Sequence, residues 1–292
     1  MSQMTVSVII VNYNCGALLT DCVCSVLASS VPVEVFVSDN GSTDGSIEHL
    51  RNRIEDDRLH IISNNQNLGF ATASNIPLVT ATGNYLLFLN PDCIIESETI
   101  ERMMVEMQKR EEVGMAGPLI LNSNGSEQAG CRRRVPTPAR TLIRILHLDK
   151  PFPFLREKGI QLLDEPLPDH PVEMEAISGA FMMVKRDALE LIGPMDENYF
   201  LHCEDLDWCM RFRQKGRKIL FVPDVEITHK KGGCSEGRAV FVEWHKHKGM
   251  VRFYRKFFRH QYPTILMWLV VAAVWVRFAL LAVLISVKRV FS

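Results

Sequence analysis

Three short apolar runs, each closed abruptly by Asn or Asp, constrain this chain more than any other feature. Val6-Ser7-Val8-Ile9-Ile10-Val11 stops at Asn12-Tyr13-Asn14, Val33-Glu34-Val35-Phe36-Val37-Ser38 at Asp39-Asn40-Gly41, and Tyr85-Leu86-Leu87-Phe88-Leu89 at Asn90-Pro91-Asp92. Apolar runs of this length bounded by turn formers, the first two of them rich in β-branched residues, read as buried strands. Segments of helix length separate them: helices over about 16–28, 44–55, 70–80 and 97–111, with further strands at 59–62 and 114–121. Alternating strand and helix predicts an α/β fold, a mainly parallel sheet with helices on both faces. Ligands of such sheets bind at the carboxyl ends of the strands, where these Asn and Asp clusters stand.

Residues 131–171 break the alternation. They hold seven of the fourteen prolines, which predicts a long excursion over one face and a candidate acceptor loop. Within it, Arg132-Arg133-Arg134 reads as a solvated basic turn, with a phosphate grip as the alternative. The sheet pattern resumes over 175–185 and 219–229, with a helix predicted over Asp205–Gln214. The eight cysteines show no C-x-x-C pair, and several sit inside apolar runs, so reduced thiols in a cytosolic body are expected.

Charge divides the chain near residue 243. No acid follows Glu243, whereas nine Lys and Arg do; the preceding residues set 24 bases against all 34 acids. Residues 245–262 interleave Arg252, Arg255 and Lys256 with Phe257 and Phe258, the pattern of a helix on an anionic leaflet. Residues 265–287 are apolar except Arg277 and Ser286, and include Trp268 and Trp275 as candidate interfacial anchors. As a helix this stretch runs roughly 34 Å, enough for a hydrocarbon core of about 30 Å. A helix lying in the interface, a pair of half-helices and an oligomer contact are the alternatives. The division is therefore a catalytic-type domain over 1–243 and a membrane-associating segment over 244–292.

Each polar cluster has a plain structural role and a chemical one. Asp39 either caps the next helix or meets the N–H edge of a nucleobase. Asp92 either caps a turn or joins a divalent cation to a diphosphate. Glu204, Asp205 and Asp207 either favour a helix N-terminus or raise one another's basicity for proton abstraction. His229 is a structural histidine, a metal ligand or a phosphate donor.

Taken in order, Asn12-Tyr13-Asn14, Asp39-Asn40-Gly-Ser-Thr-Asp44, Asn67-Leu-Gly69-Phe70-Ala71-x-x-x-Asn75, Asn90-Pro91-Asp92, Ser178-Gly179-Ala180, Glu204-Asp205 and His229-x-x-Gly-Gly-x-Ser resemble the family-2 inverting glycosyltransferases. The likeness covers about residues 4–260 and is nearest to the bacterial rhamnosyltransferase-like branch, which builds lipid-linked cell-surface polysaccharides. The resemblance implies a GT-A type fold. It also implies a nucleotide-sugar pocket drawing on Asn12, Asp39, Asn40, Asn67, Gly69, Asn90 and Gly179. A divalent metal, Mg2+ or Mn2+, would sit at Asp92 with His229 beside it, and Asp205 would be the catalytic base with Glu204 as its neighbour. Asn90 stands where the family's metal motif usually has its first Asp. The implied partners are a nucleotide-diphospho-sugar donor, best matched by dTDP-rhamnose, and a polyprenyl-diphosphate-linked saccharide acceptor. The implied place is the cytoplasmic side of the membrane. A UDP-hexose or UDP-N-acetylhexosamine donor and a non-catalytic sugar-nucleotide-binding scaffold are the alternatives. A homo-oligomer is compatible with the tail, and no nucleic-acid partner is expected.

Overall fold

The computed structural model describes residues 5–145, 160, 162–163, 165–230, 232–234 and 238–291. The middle of the proline-rich excursion (146–159) and Ser235 of the His229 motif lie outside the described residues. In chain order the elements are β1 (Val6–Asn12), α1 (Ala17–Leu27), β2 (Val33–Asp39), α2 (Ser46–Arg53), β3 (Leu59–Ser63), α3 (Phe70–Asn75), β4 (Tyr85–Leu89), β5 (Cys93–Ile94), α4 (Thr99–Gln108) and β6 (Val113–Leu121). After these come β7 (Arg132–Arg133), α5 (Pro138–Ile145), β8 (Val172–Glu173), β9 (Ala176–Ile177), β10 (Phe181–Lys185), α6 (Arg186–Ile192), α7 (Glu204–Gln214), β11 (Lys218–His229), α8 (Ala239–Phe258) and α9 (Thr264–Phe291).

The main sheet runs β3-β2-β1-β4-β10-β6-β11-β5, with β8 also on β11. β1 is parallel to β2 and β4, β2 to β3, and β6 to β11, as expected. β10 departs from that pattern, because it lies antiparallel between β4 and β6. β10 begins beside the carboxyl end of β4, where Phe181 is paired with Leu89, so after the excursion the chain enters the sheet from that edge. The sheet is therefore mixed. Its central strands are buried on both faces, which explains why their sequences are continuously apolar rather than alternating. Val8 and Ile10 join one core with α1 and α4, while Ile9 and Phe88 join the other with Trp208 and Phe212 of α7.

Three expectations are corrected here. Phe257 and Phe258 of α8 are 8 % and 4 % exposed and belong to the second core, so they do not face a leaflet. Arg252 and Lys256 turn inward as well. Both reach Asp196, at 2.8 Å and 2.7 Å, and Lys256 also pairs with the fully buried Asp207 at 2.6 Å. Burial pushes the Asp196 carboxyl up, but hydrogen bonds from Lys256 and Arg252 outweigh it and hold this acid well below the usual carboxylate range. Of the candidate leaflet-facing basic residues, only Arg255 is exposed and without such an ion pair among the described residues. The third correction concerns the thiols. Cys15, at the start of α1, and Cys234, after β11, form a disulfide across 219 residues of chain, with Cα atoms 4.5 Å apart. Their spacing carries no hint of this, because the return of β11 to the sheet edge brings them together. The other six cysteines are free, and all but Cys24 are buried.

Candidate active site

β1, β2 and β4 point the same way, so their terminal polar residues share one edge, and Asn12 is the register partner of Asp39. The Asn12 side chain is fully buried, with Nδ2 2.8 Å from Asp39 Oδ1 and 2.9 Å from both Ser42 Oγ and Ser46 Oγ, while its Oδ1 is buried with no partner among the described residues. Asp39 Oδ2 in turn accepts the Ser42 N–H. Asp44 ties the turn to α1 by accepting N–H bonds from Gly16 (2.7 Å) and Ser46 (3.1 Å). Burial works against its ionisation, yet these hydrogen bonds and that of the Ser46 hydroxyl leave its carboxyl lowered.

The next motif closes the same cleft. Asn40 Nδ2 donates to Gly69 O (3.2 Å) and lies 3.4 Å from Asn67 Oδ1, and Asn67 Oδ1 accepts the Gly69 N–H (3.0 Å). Gly69 has φ +85°, and a Cβ there would stand 2.6 Å from the Phe200 carbonyl oxygen, so backbone crosses backbone with no room for a side chain. The structure thus brings Asn12, Asp39, Asn40, Asn67 and Gly69 into one hydrogen-bonded polar cluster.

Asp92 follows β4 and faces His229, the last residue of β11, with Oδ1 3.0 Å from Nε2. Gln128, which the sequence reading missed, sets the histidine. Its Nε2 donates to His229 O (3.2 Å) and Asn122 Oδ1 (3.0 Å), leaving its Oε1 2.6 Å from His229 Nδ1. Nδ1 is therefore the ring donor to Gln128, and Nε2 meets a carboxylate oxygen. That contact is attractive with a proton on Nε2 or with a cation shared between imidazole and carboxylate. Among the described residues, Asp92, Cys93 and His229 form the one group of three with metal-ligating atoms within 4.8 Å of one another. Burial pushes the Cys93 thiol well up, so it stays protonated and is a poor ligand for a hard ion. A carboxylate and an imidazole that leave room for phosphate oxygens suit Mg2+ or Mn2+.

Across the β4–β10 pair stands the acidic start of α7. Asn90 N donates to Ala180 O (2.9 Å), and Gly179 N donates to Asp205 Oδ2 (3.2 Å), so the two acid clusters flank one short stretch of backbone. A Cβ at Gly179 would lie 3.2 Å from Asp205 Cβ, which accounts for the glycine as a neighbour of the acid. His202 and Cys203 just before α7 both have positive φ, 66° and 71°, a sharp approach that aims the first turn of the helix at the cleft. Asp205 Oδ1 accepts the Leu206 N–H at 2.7 Å, and Oδ2 is held by the Arg133 guanidinium. Glu204 is 6 % exposed; burial and the adjacent Asp205 raise its carboxyl to about 8. Asp207 is closed off inside its pairs with Arg211 and Lys256 and does not reach the cleft.

The basic triplet is neither a solvated turn nor a ready phosphate grip. Arg132 is 3 % exposed and pairs with Glu127, Arg133 with Asp205, and Arg134 with Glu165 at 2.9 Å. β7 pairs antiparallel with β9, and this two-stranded ribbon delivers Arg133 to Asp205. No local signal in the sequence connects residues 72 positions apart.

The sequence profile of Glycosyl transferase family 2 matches residues 7–164. The N-acetylglucosaminyl-diphospho-decaprenol L-rhamnosyltransferase of Mycobacterium tuberculosis is 27 % identical over 236 residues, covering 77 % of this chain and 75 % of that protein. The dTDP-rhamnosyl transferase RfbF of Shigella flexneri is 23 % identical over 190 residues, 64 % of this chain and 57 % of its own length. In structure, the mannosyltransferase PcManGT of Pyrobaculum calidifontis, solved with GDP-Man and Mn2+, superposes with a TM-score of 0.60 at 17 % identity, over 94 % of this chain and 69 % of that one.

Proposed function

Since this chain belongs to glycosyl transferase family 2, we propose that it moves L-rhamnose from dTDP-rhamnose, with inversion, onto a lipid-linked saccharide at the cytoplasmic face of a membrane. The observation that carries the reading is the pairing of two acid centres at one sheet edge: Asp92 with His229 on one side, and Asp205 with Glu204 on the other. The polar cluster of Asn12, Asp39, Asn40 and Asn67 lies on the same edge, and the nucleoside is assigned to it.

An inverting transfer needs no enzyme nucleophile. It needs one base to take the proton of the acceptor hydroxyl as that oxygen attacks the anomeric carbon and the nucleoside diphosphate departs from the opposite side. Asp205 is that base: its carboxylate accepts the proton while Gly179, Leu206 and Arg133 hold its orientation. Glu204, buried and protonated at neutral pH, is unsuited to the task and instead supports the first turn of α7. Asp92 and His229 would hold a divalent ion, which when bound supplies positive charge to the departing diphosphate. The choice of rhamnose rests on the activities of the two bacterial relatives, and that of a polyprenyl-diphosphate acceptor on the mycobacterial one. α9 contains a 24-residue span, Thr264–Val287, of mean hydropathy 2.5, which supports the membrane part of the reading.

The test is a turnover screen of purified protein against dTDP-rhamnose, UDP-hexoses and UDP-N-acetylhexosamines with a short-chain polyprenyl-diphosphate-GlcNAc acceptor. Release of dTDP and formation of a rhamnosylated lipid are expected. Turnover with a UDP-sugar alone overturns the donor assignment, and binding of donor without any turnover overturns the enzyme reading.

A further inference from the structure

The membrane part of the proposed function leaves two geometries for α9, crossing the bilayer or lying along it, and the packing of this helix separates them. α8 and α9 form an antiparallel hairpin: Trp244 stacks near Trp275 (5.1 Å) and Phe278 (5.4 Å), and His247 lies 3.5 Å from Arg277. On the inner face of α9, Met267, Val270 and Val274 are buried in the core that also holds Trp208 and Phe253. The opposite face is bare. Ile265, Trp268, Leu269, Val276, Leu280 and Val283 are between 59 % and 77 % exposed, and they recur at steps of three, four and seven, one continuous stripe on a helix.

We propose that α9 lies in the plane of the membrane surface, with this outer stripe sunk into the acyl boundary and the catalytic domain resting on its inner face. A crossing helix must be free of its own domain over the whole hydrocarbon thickness, about 30 Å. Here the first half of α9 is fastened to α8, which carries Lys246, Lys248, Arg252, Arg255 and Lys256 and would be drawn into hydrocarbon with it. Arg277 fits the same picture, since it reaches sideways to His247 on α8 instead of standing at the centre of a bilayer. The occupant of the outer face is lipid and not a second copy of the chain. Lys248, Arg255 and Arg259 have no ion pair with an acid among the described residues, so two such hairpins would repel each other while an anionic leaflet attracts them. The arrangement also carries the membrane to the chemistry. Gly249 of α8 packs against the His202 carbonyl, and Cys203 Sγ contacts Lys246 O at 3.7 Å, so the helix that α9 lies on buttresses the loop leading into Asp205.

The protein carrying a tag after Ser292 is expressed, and membrane vesicles with the cytoplasmic side outward are treated with protease. Digestion of the tag together with the catalytic domain is expected. A protected tag beside a digested domain overturns the in-plane geometry while leaving membrane association standing. Recovery of all the protein in the soluble fraction without detergent refutes membrane association itself. A second arm uses Val276→Arg with Leu280→Arg, both on the outer stripe and outside the site. The membrane-bound fraction should fall at least tenfold while dTDP release in detergent stays within twofold. Unchanged membrane binding by this pair, or loss of a solution dimer in its place, assigns the stripe to another contact and overturns the proposal.

Discussion

Asp205→Asn removes the proposed base while leaving the fold of α7 in place, and its effects on rate and stability differ in origin. A positioned general base contributes about 10²–10⁴ in rate, so kcat should fall by about 10³, or about 4 kcal/mol at 1.36 kcal/mol per factor of ten. The donor KM should stay within about threefold, because Asn12 and Asp39, the residues proposed to bind the nucleoside, lie at the ends of β1 and β2 and not on α7. Stability should fall for a separate reason. Asp205 is 14 % exposed and Arg133 18 %, so the substitution leaves a largely buried guanidinium facing an amide and the Gly179 N–H. Removing one partner of a fully buried pair costs about 3–5 kcal/mol; discounted for partial exposure, about 1–3 kcal/mol is expected here. Adding Arg133→Met should restore part of the lost Tm, since it removes the stranded charge, without restoring kcat. Dye-monitored melting and steady-state release of nucleoside diphosphate read the two quantities independently. Turnover by Asp205→Asn within tenfold of the parent protein refutes the assignment and transfers the role to Glu204.

Four further outcomes are expected. Glu204 has a folded value near 8 against an ordinary 4.5, so its contribution to stability is complete below the lower value and is lost as pH rises through the upper one; Glu204→Gln should therefore flatten the fall in Tm between pH 5 and 9, and an unchanged pH profile counts against the buried neutral acid. Asp92→Asn should weaken donor binding at least tenfold and abolish its dependence on Mg2+ or Mn2+ in calorimetric titrations; parent protein indifferent to a chelator would remove the metal. Gly69→Ala places a Cβ against the Phe200 carbonyl at positive φ, and urea unfolding should register a loss of about 1–3 kcal/mol. Cys234→Ser releases the segment after His229 from α1 and should weaken donor binding several-fold, whereas Cys24→Ser, at an exposed free thiol, should not.

The sequence by itself determined the strand–helix alternation and the edge at which the chemistry is placed. β1, β2 and β4 were legible because an apolar run and its terminating Asn or Asp are adjacent in the chain, and parallel order then aligns Asn12, Asp39 and Asp92 whatever the rest of the fold does. The start of α7 was legible for the same reason, with its acids in the first turn. Tertiary structure alone decided which of these groups are joined. Arg133 meets Asp205, Gln128 orients His229, and Cys15 finds Cys234 only because long connections return to the same edge. It also decided that Phe257 and Phe258 are core residues and that Arg252 and Lys256 serve Asp196. A basic aromatic helix has the same composition whether its apolar side meets lipid or protein. The neighbour is chosen by how α8 packs on α7, and that packing depends on contacts between residues far apart in sequence, which local periodicity does not encode.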